Sequence, residues 1–313
     1  MADRVLVTGG AGFIGSHLAV ALLREGFEVR VLDDLSTGHL RNLESVRSEL
    51  ELVQADVCDT ESLARALRGV RFVFHEAAMV SVPQSVEQPR RCHEVNGTAT
   101  AELFELARTA GVERVMFAAS AAAYGSEPTL PKSESMAPMP LSPYASTKLY
   151  GEHLCGVYTR AMGLPAVPLR YFNIYGPRQD PSGAYAAVIS KFQQRMMTGQ
   201  RPVIFGDGQQ TRDFCSVHDV VRANLLAMHA PVSACGAPIN IGTGRRTSLL
   251  DLVDVFNTIS GQSLEPEFRE SRAGDIAHSV ADVSCAQRML GYEPGVGLLD
   301  GLRELVESEV AHG

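Results

Sequence analysis

The chain has 313 residues, of which 45% are apolar and 20% are charged, the composition of an ordinary globular protein. Its formal net charge of −8 argues against a general nucleic-acid binder, although a locally basic pocket could still hold a small anion. No uninterrupted apolar run is long enough to span a bilayer, so we expect neither a membrane partner nor a nucleic-acid partner.

The six cysteines are scattered along the chain and form no Cys-x-x-Cys pair. This spacing indicates free thiols in a reducing cytosol, and small buried side chains would account for most of them. The N-terminus enters a predicted strand at once, without the charged and apolar segments of a signal peptide. We therefore expect a cytoplasmic protein. Neither the cysteines nor the nine histidines show metal-ligand spacing, so we expect no metal.

The first predicted unit is a strand over residues 4–8, a glycine-rich turn (GGAGFIG, residues 9–15), a helix to about Glu25 and a second strand that runs into Asp33. Strand, glycine turn, helix, strand and acid open a dinucleotide-binding fold. The glycines let the backbone approach a pyrophosphate, and the helix N-terminus supplies amide donors. Asp33 is placed to accept both ribose hydroxyls and to repel a 2′-phosphate, which predicts NAD as the cofactor.

Strand-like and helical segments then alternate. Residues 50–54, 72–75 and 114–119 are predicted strands, and residues 60–67 and 96–110 are predicted helices. Such alternation predicts an α/β fold with a Rossmann-like, doubly wound parallel sheet and helices on both faces. A smaller mixed α/β substrate lobe is expected to follow.

The glycine spacing of the first turn, Gly9, Gly12 and Gly15, resembles that of the extended short-chain dehydrogenase/reductases. In that family, strand-end residues such as Asp56-Val57 and Ala77-Ala78 lie along the cofactor, although ordinary turns would explain Ala77 and Ala78 equally well. The resemblance implies that the cofactor is bound by Gly9, Gly12, Phe13, Ile14, Gly15, Asp33, Ser36, Thr37, Gly38, Asp56, Val57, Ala77, Ala78, Asn96, Tyr144, Lys148 and Tyr171.

The candidate catalytic residues are Ser120, at the end of the fifth predicted strand, and the pair Tyr144 and Lys148. Four residues separate this pair, so a helix places both on one face, where the ammonium should lower the pKa of the phenol. The chain has only three lysines beside 25 arginines, which makes a lysine here a hint of chemistry. Two unrelated surface residues are the alternative for the pair, and a hydroxyl that caps its own loop is the alternative for Ser120.

The pattern Ser-x-x-x-Tyr-Gly followed by Ser-Pro-Tyr-x-x-x-Lys is similar to the nucleotide-sugar group of these reductases, where serine, tyrosine and lysine form the catalytic set. Dehydratases and decarboxylases of the group usually carry a carboxylate one or two residues after the serine, because dehydration needs an acid for the leaving hydroxyl. Here those residues are Ala121 and Ala122, which cannot transfer a proton.

The resemblance therefore implies a UDP-hexose 4-epimerase, an isomerase that uses tightly held NAD and a transient 4-keto sugar. A UDP-glucuronate 4-epimerase or decarboxylase is the alternative, and Ala122 weighs against the decarboxylase only. A redox-sensing NAD-binding regulator without turnover is a further alternative, although it would have no need of all three catalytic residues.

We place the domain boundary near residue 174, where glycine and proline become denser. Residues 1–173 would form the NAD-binding Rossmann domain, to which a later segment near 215–242 returns. Residues 174–313 would form the substrate lobe that binds the UDP-sugar in the cleft between the lobes. The tail that ends at residue 313 is polar, and we expect it to fray.

Three stretches of the second lobe resemble the epimerase group: QDPSGAYAAVI (179–189), FGDG with TRDF (205–214), and RAGD (272–275). Arg212 and Arg272 could together grip a diphosphate, although a solvated surface role is the default for either arginine alone. Asn173 could add an amide donor. The resemblance implies that the substrate is bound by Ser81, Ser120, Asn173, Ala187, Val188, Arg212, Arg272, Asp275 and Ser279.

Two further expectations concern specificity and assembly. Ser279 aligns with a position where some epimerases carry a bulky tyrosine, and residues 81–85 resemble the subgroup that acts on N-acetylhexosamines. We therefore expect both plain and N-acetylated UDP-hexoses as substrates. Family members dimerise through helices that correspond to residues 96–110 and 145–162, so we expect a homodimer, although packing within one chain would explain the apolar faces equally well.

Overall fold

The computed structural model describes residues 2–180, 188–271 and 277–310. Within these residues the strands are β1 Arg4–Thr8, β2 Glu28–Asp33, β3 Glu51–Gln54, β4 Val70–His75, β5 Arg114–Ser120, β6 Ala166–Tyr171, β7 Asn173–Tyr175, β8 Val203–Phe205, β9 Thr211–Arg212, β10 Phe214–Ser216, β11 Ile239–Ile241, β12 Thr247–Ser248 and β13 Glu267–Arg269. The α-helices are α1 Phe13–Arg24, α2 Thr60–Ala66, α3 Val82–Glu87, α4 Pro89–His93, α5 Ala99–Thr109, α6 Pro143–Val157, α7 Val188–Met196, α8 Val217–His229, α9 Leu249–Ser260, α10 Ser284–Leu290 and α11 Leu298–Val310.

Seven strands form one parallel sheet in the order β11-β6-β5-β4-β1-β2-β3. One apolar core packs α1, α8 and α10 against one face, and a second core packs α2, α5 and α6 against the other. Both faces are covered because the strands are apolar on both sides, as is usual for parallel sheets. The predicted doubly wound, Rossmann-like fold is confirmed.

The strand order places a crevice at the carboxyl end of β1. From β1 the chain proceeds outward through β2 and β3, and then returns to the other side of β1 with β4, β5 and β6. Connections leave the sheet in opposite directions at this point, which is where ligands of doubly wound folds bind. The glycine turn after β1 and the residues after β4 and β5 therefore border one space.

A third apolar core lies outside the main sheet, between α7, α9 and α11. Three two-stranded sheets, β10-β7, β12-β9 and β13-β8, accompany it. In contrast, β11 pairs with β6 in the main sheet, and α8 packs against α1. The division of the chain at residue 173, with a return near 215–242, stays a prediction.

The prediction that the C-terminal tail frays was wrong for the part of the tail that the structure describes. Helices α10 and α11 are both folded, and Leu302 and Leu305 of α11 are buried in the third core. The apolar residues of α11 recur at helical spacing among charged ones, so the segment is polar on average but has one apolar stripe. Average polarity concealed that stripe.

We also examined the helices for length and hydropathy. Among the described residues, no helix combines the length and the apolar character needed to cross a membrane.

Candidate active site

Tyr144 lies in the first turn of α6, and local interactions determine how it enters the site. The Ser142 hydroxyl accepts a hydrogen bond from the Ala145 N–H, and Pro143 occupies the first helical position. Both features are typical of a helix start. The backbone N–H of Tyr144 donates to the Ser85 hydroxyl of α3 at 3.2 Å. Because two elements hold this turn, the phenol has a defined position.

Ser120 ends β5 and meets this phenol. Its hydroxyl oxygen accepts a hydrogen bond from the Ala122 N–H at 3.1 Å, which is the loop-capping contact considered as an alternative. The same hydroxyl forms a hydrogen bond with Tyr144 that acts to lower the pKa of the phenol. Capping and contact with the tyrosine therefore occur together, since a hydroxyl can accept one hydrogen bond and take part in another.

Lys148 is buried, with only 4% of its surface exposed. Its ammonium donates a hydrogen bond to the Ala118 carbonyl at 2.8 Å and lies 5.2 Å from the centre of the Phe117 ring. Burial lowers the pKa of Lys148, and the negative charge of Glu76 opposes that change. The lysine is thus tied to β5 rather than exposed on the surface of α6.

The predicted direction of the Tyr144 pKa was wrong. Burial raises the pKa of the phenol above its ordinary value, the Ser120 hydrogen bond opposes this rise, and Cys92 and Glu76 add to it. The sequence showed a positive neighbour at position 148, but it could not show how deeply the folded chain buries the phenol. Here the cost of desolvating the phenolate exceeds the stabilisation that its neighbours provide.

The glycine turn after β1 is built for close approach. A Cβ on Gly9, which has a φ of +67°, would lie 2.7 Å from the backbone nitrogen of Ala77, and one on Gly15 would lie 2.2 Å from the Gly9 carbonyl oxygen. Helix α1 therefore packs directly on the turn. It begins after Gly12, which has no side chain to cap the first N–H groups. These free donors at a helix N-terminus fit the diphosphate of a dinucleotide.

Asp33 is the last residue of β2 and lies beside the same turn. One carboxylate oxygen accepts the Ala11 N–H at 2.9 Å, and the other accepts the Leu35 N–H at 2.8 Å. Burial raises the pKa of Asp33, and these hydrogen bonds oppose that rise. Each oxygen keeps a further acceptor position, which fits ribose hydroxyls. Gly38 has to be small, because a Cβ there would lie 2.7 Å from Asp33 Oδ1.

The other predicted cofactor residues lie along the carboxyl edge of the sheet or close to it. Ser36 and Thr37 are exposed in the loop after β2, and Val57 is buried after β3. The Asp56 carboxylate pairs with Arg91 at 2.6 Å. The Ala77 N–H donates to Thr8 at 3.3 Å, next to the glycine turn.

Asn96 lies in a π-helical turn, Glu94–Thr98, that leads into α5. Its amide oxygen accepts the Met79 N–H at 2.8 Å, and its amide nitrogen donates to the Met79 carbonyl at 3.0 Å. The same nitrogen lies 3.2 Å from the Thr147 hydroxyl of α6. The side chain therefore holds the loop after β4 against α6, and π-helical turns often occur at functional positions.

On the substrate side, short strand contacts bring two predicted residues together. Ser279 donates its N–H to the Thr211 carbonyl at 3.0 Å, and the Arg212 guanidinium donates to Thr211 and to Ala277 at 3.0 and 3.3 Å. Asn173 of β7 pairs with Phe214 of β10, and its amide nitrogen donates to the Asp213 carbonyl at 3.4 Å. The remaining predicted residues are Ser81, which caps α3, Val188, which starts α7, and Ala187, Arg272 and Asp275, which lie outside the described residues.

A second set of contacts joins the Ser279 segment to the loop after Ser120. Lys132 donates its N–H to the Val280 carbonyl and accepts the Asp282 N–H, both at 2.8 Å. Asn240 accepts the Tyr124 hydroxyl at 2.7 Å and donates to the Lys132 carbonyl at 2.8 Å. The segment after the predicted specificity residue and the loop after the candidate catalytic serine are therefore hydrogen-bonded to each other.

We compared the chain with known proteins. The sequence profile of the NAD dependent epimerase/dehydratase family matches residues 5–242. The chain belongs to this family. A UDP-glucose 4-epimerase of Mycolicibacterium smegmatis is 40% identical over 309 residues, which cover 97% of both chains. The predicted resemblance to the UDP-hexose 4-epimerase group is confirmed.

Solved structures of this family have the same fold as this chain. A UDP-N-acetylglucosamine 4-epimerase of Methanobrevibacter ruminantium, in complex with UDP-N-acetylmuramic acid, has a TM-score of 0.94 at 36% identity, with both chains fully covered. A Thermotoga maritima UDP-glucose 4-epimerase with UDP-glucose has 0.93 at 39%, covering 99% of both chains. A Bacillus cereus UDP-glucuronic acid 4-epimerase, with UDP-glucuronic acid and NAD, has 0.90 at 34%, covering 99% of this chain and 100% of that one.

NAD is the cofactor of this epimerase family, as predicted. The uncapped start of α1, the glycine turn and Asp33 are the features of the structure that fit it. Among the described residues, no group of three or more His, Cys, Asp or Glu side chains could hold a metal ion.

Three residues of this epimerase site were missed in the sequence. Ser85 holds the backbone of Tyr144, Glu76 accepts a hydrogen bond from Tyr171, and Asn224 donates to Tyr171. Glu76 directly precedes the predicted pair Ala77-Ala78, so the rule that ligands bind at strand ends could have identified it. Asn224 belongs to α8, far along the chain, and no local pattern points to it.

Proposed function

We propose that this chain catalyses the NAD-dependent 4-epimerisation of UDP-hexoses through a transient 4-keto sugar. One observation carries the proposal: Ser120 and the phenol of Tyr144 meet where β5 ends, while the two residues after the serine are alanines. A single acid–base group suffices for epimerisation, whereas dehydration needs a second one. The similarity to UDP-glucose 4-epimerases supports the substrate class.

In this proposal Tyr144 accepts the proton of the sugar's 4-hydroxyl and later returns it, so the sugar leaves as an isomer of itself. NAD, when bound, would supply the acceptor for the hydride of C4 and the donor that returns it to the opposite face of the sugar. Ser120 holds the reacting oxygen through a hydrogen bond. Lys148 supplies positive charge beside the phenol, which favours its deprotonated form.

The 4-keto sugar must rotate between the two hydride transfers so that it presents its other face. This requirement determines where strong contacts belong. The nucleotide has to be held firmly, while the hexose stays loosely bound. We therefore assign the firm contacts to Arg212, Arg272 and Asn173 at the diphosphate, and ribose recognition to Asp275. Val188, at the start of α7, and Ala187 contact the nucleotide in this proposal.

The remaining predicted contacts keep their proposed roles. Residues 9–15 and 36–38, with Asp33, bind the ribose and diphosphate of NAD, and residues 56–57 and 77–78 lie along the rest of the cofactor. Asn96 and Tyr171 shape this side of the site through the loop after β4 and through Glu76. Residues 1–173 and 174–313 are the two lobes of the proposal.

Product analysis tests the proposal directly. We expect the purified protein to interconvert UDP-glucose with UDP-galactose, and UDP-GlcNAc with UDP-GalNAc, as seen by anion-exchange separation or by NMR of the products. The Tyr144→Phe variant serves as the background for each sugar. A protein that binds NAD but converts none of these sugars would contradict the proposal.

A second candidate is a UDP-glucuronate 4-epimerase, because a Bacillus cereus enzyme of that activity shares the fold at 34% identity. UDP-glucuronate belongs in the same product assay for this reason. Conversion of UDP-glucuronate without conversion of the neutral sugars would favour this candidate over the main proposal.

The small side chain of Ser279 underlies the proposed acceptance of N-acetylated sugars. We expect Ser279→Tyr to lower kcat/KM for UDP-GalNAc by at least tenfold, because a bulky ring would fill the space for a 2-acetamido group. UDP-galactose turnover by the same variant is the internal control and should change much less. Equal losses for both sugars would remove the steric explanation.

We also propose a cytoplasmic homodimer. The six cysteines are free thiols, which suits a reducing compartment. Val157 and Met162 are exposed apolar residues at the end of the long helical segment that starts with α6, where the family would place its four-helix interface. Sedimentation equilibrium should give twice the 33.7 kDa chain mass, and a monomer would exclude this assembly.

A further inference from the structure

Glu76 is a carboxylate inside the site that the proposed reaction does not use. It follows β4 directly, and its N–H donates to the Thr8 carbonyl at 3.2 Å. A Cβ on Gly9 would lie 3.0 Å from the Glu76 carbonyl carbon, so the glycine turn packs tightly against its backbone. The side chain therefore starts from a rigid position at the crevice of the sheet.

A directed chain of hydrogen bonds ends on this carboxylate. The Asn224 amide nitrogen donates to the Tyr171 hydroxyl at 2.7 Å and to the Val220 carbonyl at 3.0 Å. The phenol of Tyr171, which accepts from this donor, has one proton, and it donates that proton to Glu76 Oε1 at 2.9 Å. Glu76 is therefore an acceptor here, and a donated hydrogen bond stabilises its charged form.

Lys148 is the positive group next to this carboxylate, because its ammonium binds the Ala118 carbonyl of β5 and β5 pairs His75, the residue before Glu76, with Phe117, the residue before Ala118. The buried ammonium donates to one carbonyl, that of Ala118, and the charge of Glu76 acts to keep it protonated. In return the ammonium opposes the rise that burial causes in the pKa of Glu76. A buried cation without such a partner would lose its proton readily, because desolvation penalises the charged form.

The other titratable neighbours are neutral near pH 7. Burial lowers the pKa of His75 to about 3, so its ring carries no charge. Burial raises the pKa of the Cys92 thiol, which therefore stays protonated, and burial also raises that of Tyr171. Burial raises the pKa of Glu76 to about 7, so above that pH Glu76 is the group that supplies negative charge to Lys148 and Tyr144.

We propose that Glu76 is a positioning residue of the catalytic centre, whose carboxylate holds the Tyr171 phenol in place and keeps the buried Lys148 ammonium charged beside Tyr144. This inference rests on the proposed roles of Tyr144 and Lys148. Glu76 has two opposite effects on Lys148 and Tyr144. Glu76 supports the positive charge that the reaction uses, and at the same time it opposes formation of the Tyr144 phenolate, because like charges repel.

The Glu76→Gln variant separates charge from shape. Glutamine has nearly the same size, and its amide oxygen can still accept the Tyr171 proton, so mainly the negative charge is removed. Without that charge the pKa of Tyr144 should fall, and so should the pKa of Lys148. A merely structural glutamate would move neither value. Glu49→Gln, at an exposed site, is the matched control.

Ultraviolet titration of tyrosinate measures the effect without any turnover. The absorbance difference between Glu76→Gln and its Tyr144→Phe double variant isolates the Tyr144 phenol, and we expect its midpoint at lower pH than in the corresponding wild-type pair. An unchanged midpoint overturns the proposal. Because this readout needs no substrate, it fails or succeeds independently of the proposed epimerase activity.

Two further measurements test the effect of the Glu76 charge. The acid limb of the kcat profile with UDP-galactose should move to lower pH in Glu76→Gln and stay in place in Glu49→Gln. If Glu76→Gln does not fold, Glu76→Asp takes its place, since aspartate keeps the charge and should keep the Tyr144 midpoint near that of wild type. A clear drop of the midpoint in Glu76→Asp would overturn the role of the charge.

Discussion

Tyr144→Phe is expected to lower kcat for UDP-galactose by about 10²- to 10⁴-fold, the range found when a positioned acid–base group is removed. Only the hydroxyl that meets Ser120 is lost, and the Tyr144 N–H that binds Ser85 of α3 stays. We therefore expect normal folding and normal NAD content. Steady-state turnover and the nucleotide content of the purified protein measure the two expectations separately.

Tyr158→Phe provides the matched control for this substitution. Tyr158 continues the same helical segment, and its hydroxyl makes a single long contact of 3.4 Å with Glu105. The control loses the same atom at a site away from Ser120, so its kcat should stay within about twofold of wild type. Near-normal turnover by Tyr144→Phe would show that another group transfers the proton.

Glu152→Gln is expected to produce the largest loss of stability, about 3–5 kcal/mol in the free energy of unfolding. Glu152 of α6 binds Arg170 of β6 through two hydrogen bonds of 2.8 and 2.7 Å, and the two side chains are only 4% and 2% exposed. Glutamine leaves the buried guanidinium without a counter-charge. Urea unfolding and a fall in Tm of about 5–10 °C would register the loss.

The exposed pair Glu105 and Arg108 is the control for this effect. These side chains are 42% and 39% exposed and lie 2.6 Å apart. Their separation is close to that of the buried pair, but they are in contact with solvent. Because solvent screens exposed charges, Glu105→Gln should lower stability much less than Glu152→Gln does. Equal losses in the two variants would mean that burial does not determine the strength of the pair.

The parts of this site that could be predicted are those written in short stretches of sequence. The glycine turn with Asp33 follows from the order of strand, turn, helix and acid. The spacing of Tyr144 and Lys148 follows from one helix. Strand ends also pointed to Ser120. In each case a local pattern limits the backbone so strongly that distant contacts do not alter it.

What could not be predicted depends on elements that meet only in the folded chain. The pKa of Tyr144 is raised by burial, and no spacing rule contains that information. Asn224 reaches Tyr171 from a helix 53 residues further along the chain. The folded tail is a different case, because its apolar residues recur at helical spacing in the sequence itself and only the average polarity of the segment hid them.

The backbone link between Lys132 and residues 280–282 has a consequence for protein engineering. Attempts to retarget sugar preference by grafting the Ser279 loop from a relative would transplant one side of a paired ladder and leave the other side behind. A chimera that exchanges residues 127–136 together with residues 277–283 keeps donor and acceptor from the same parent. We expect such coupled exchanges to remain folded more often than exchanges of the loop alone.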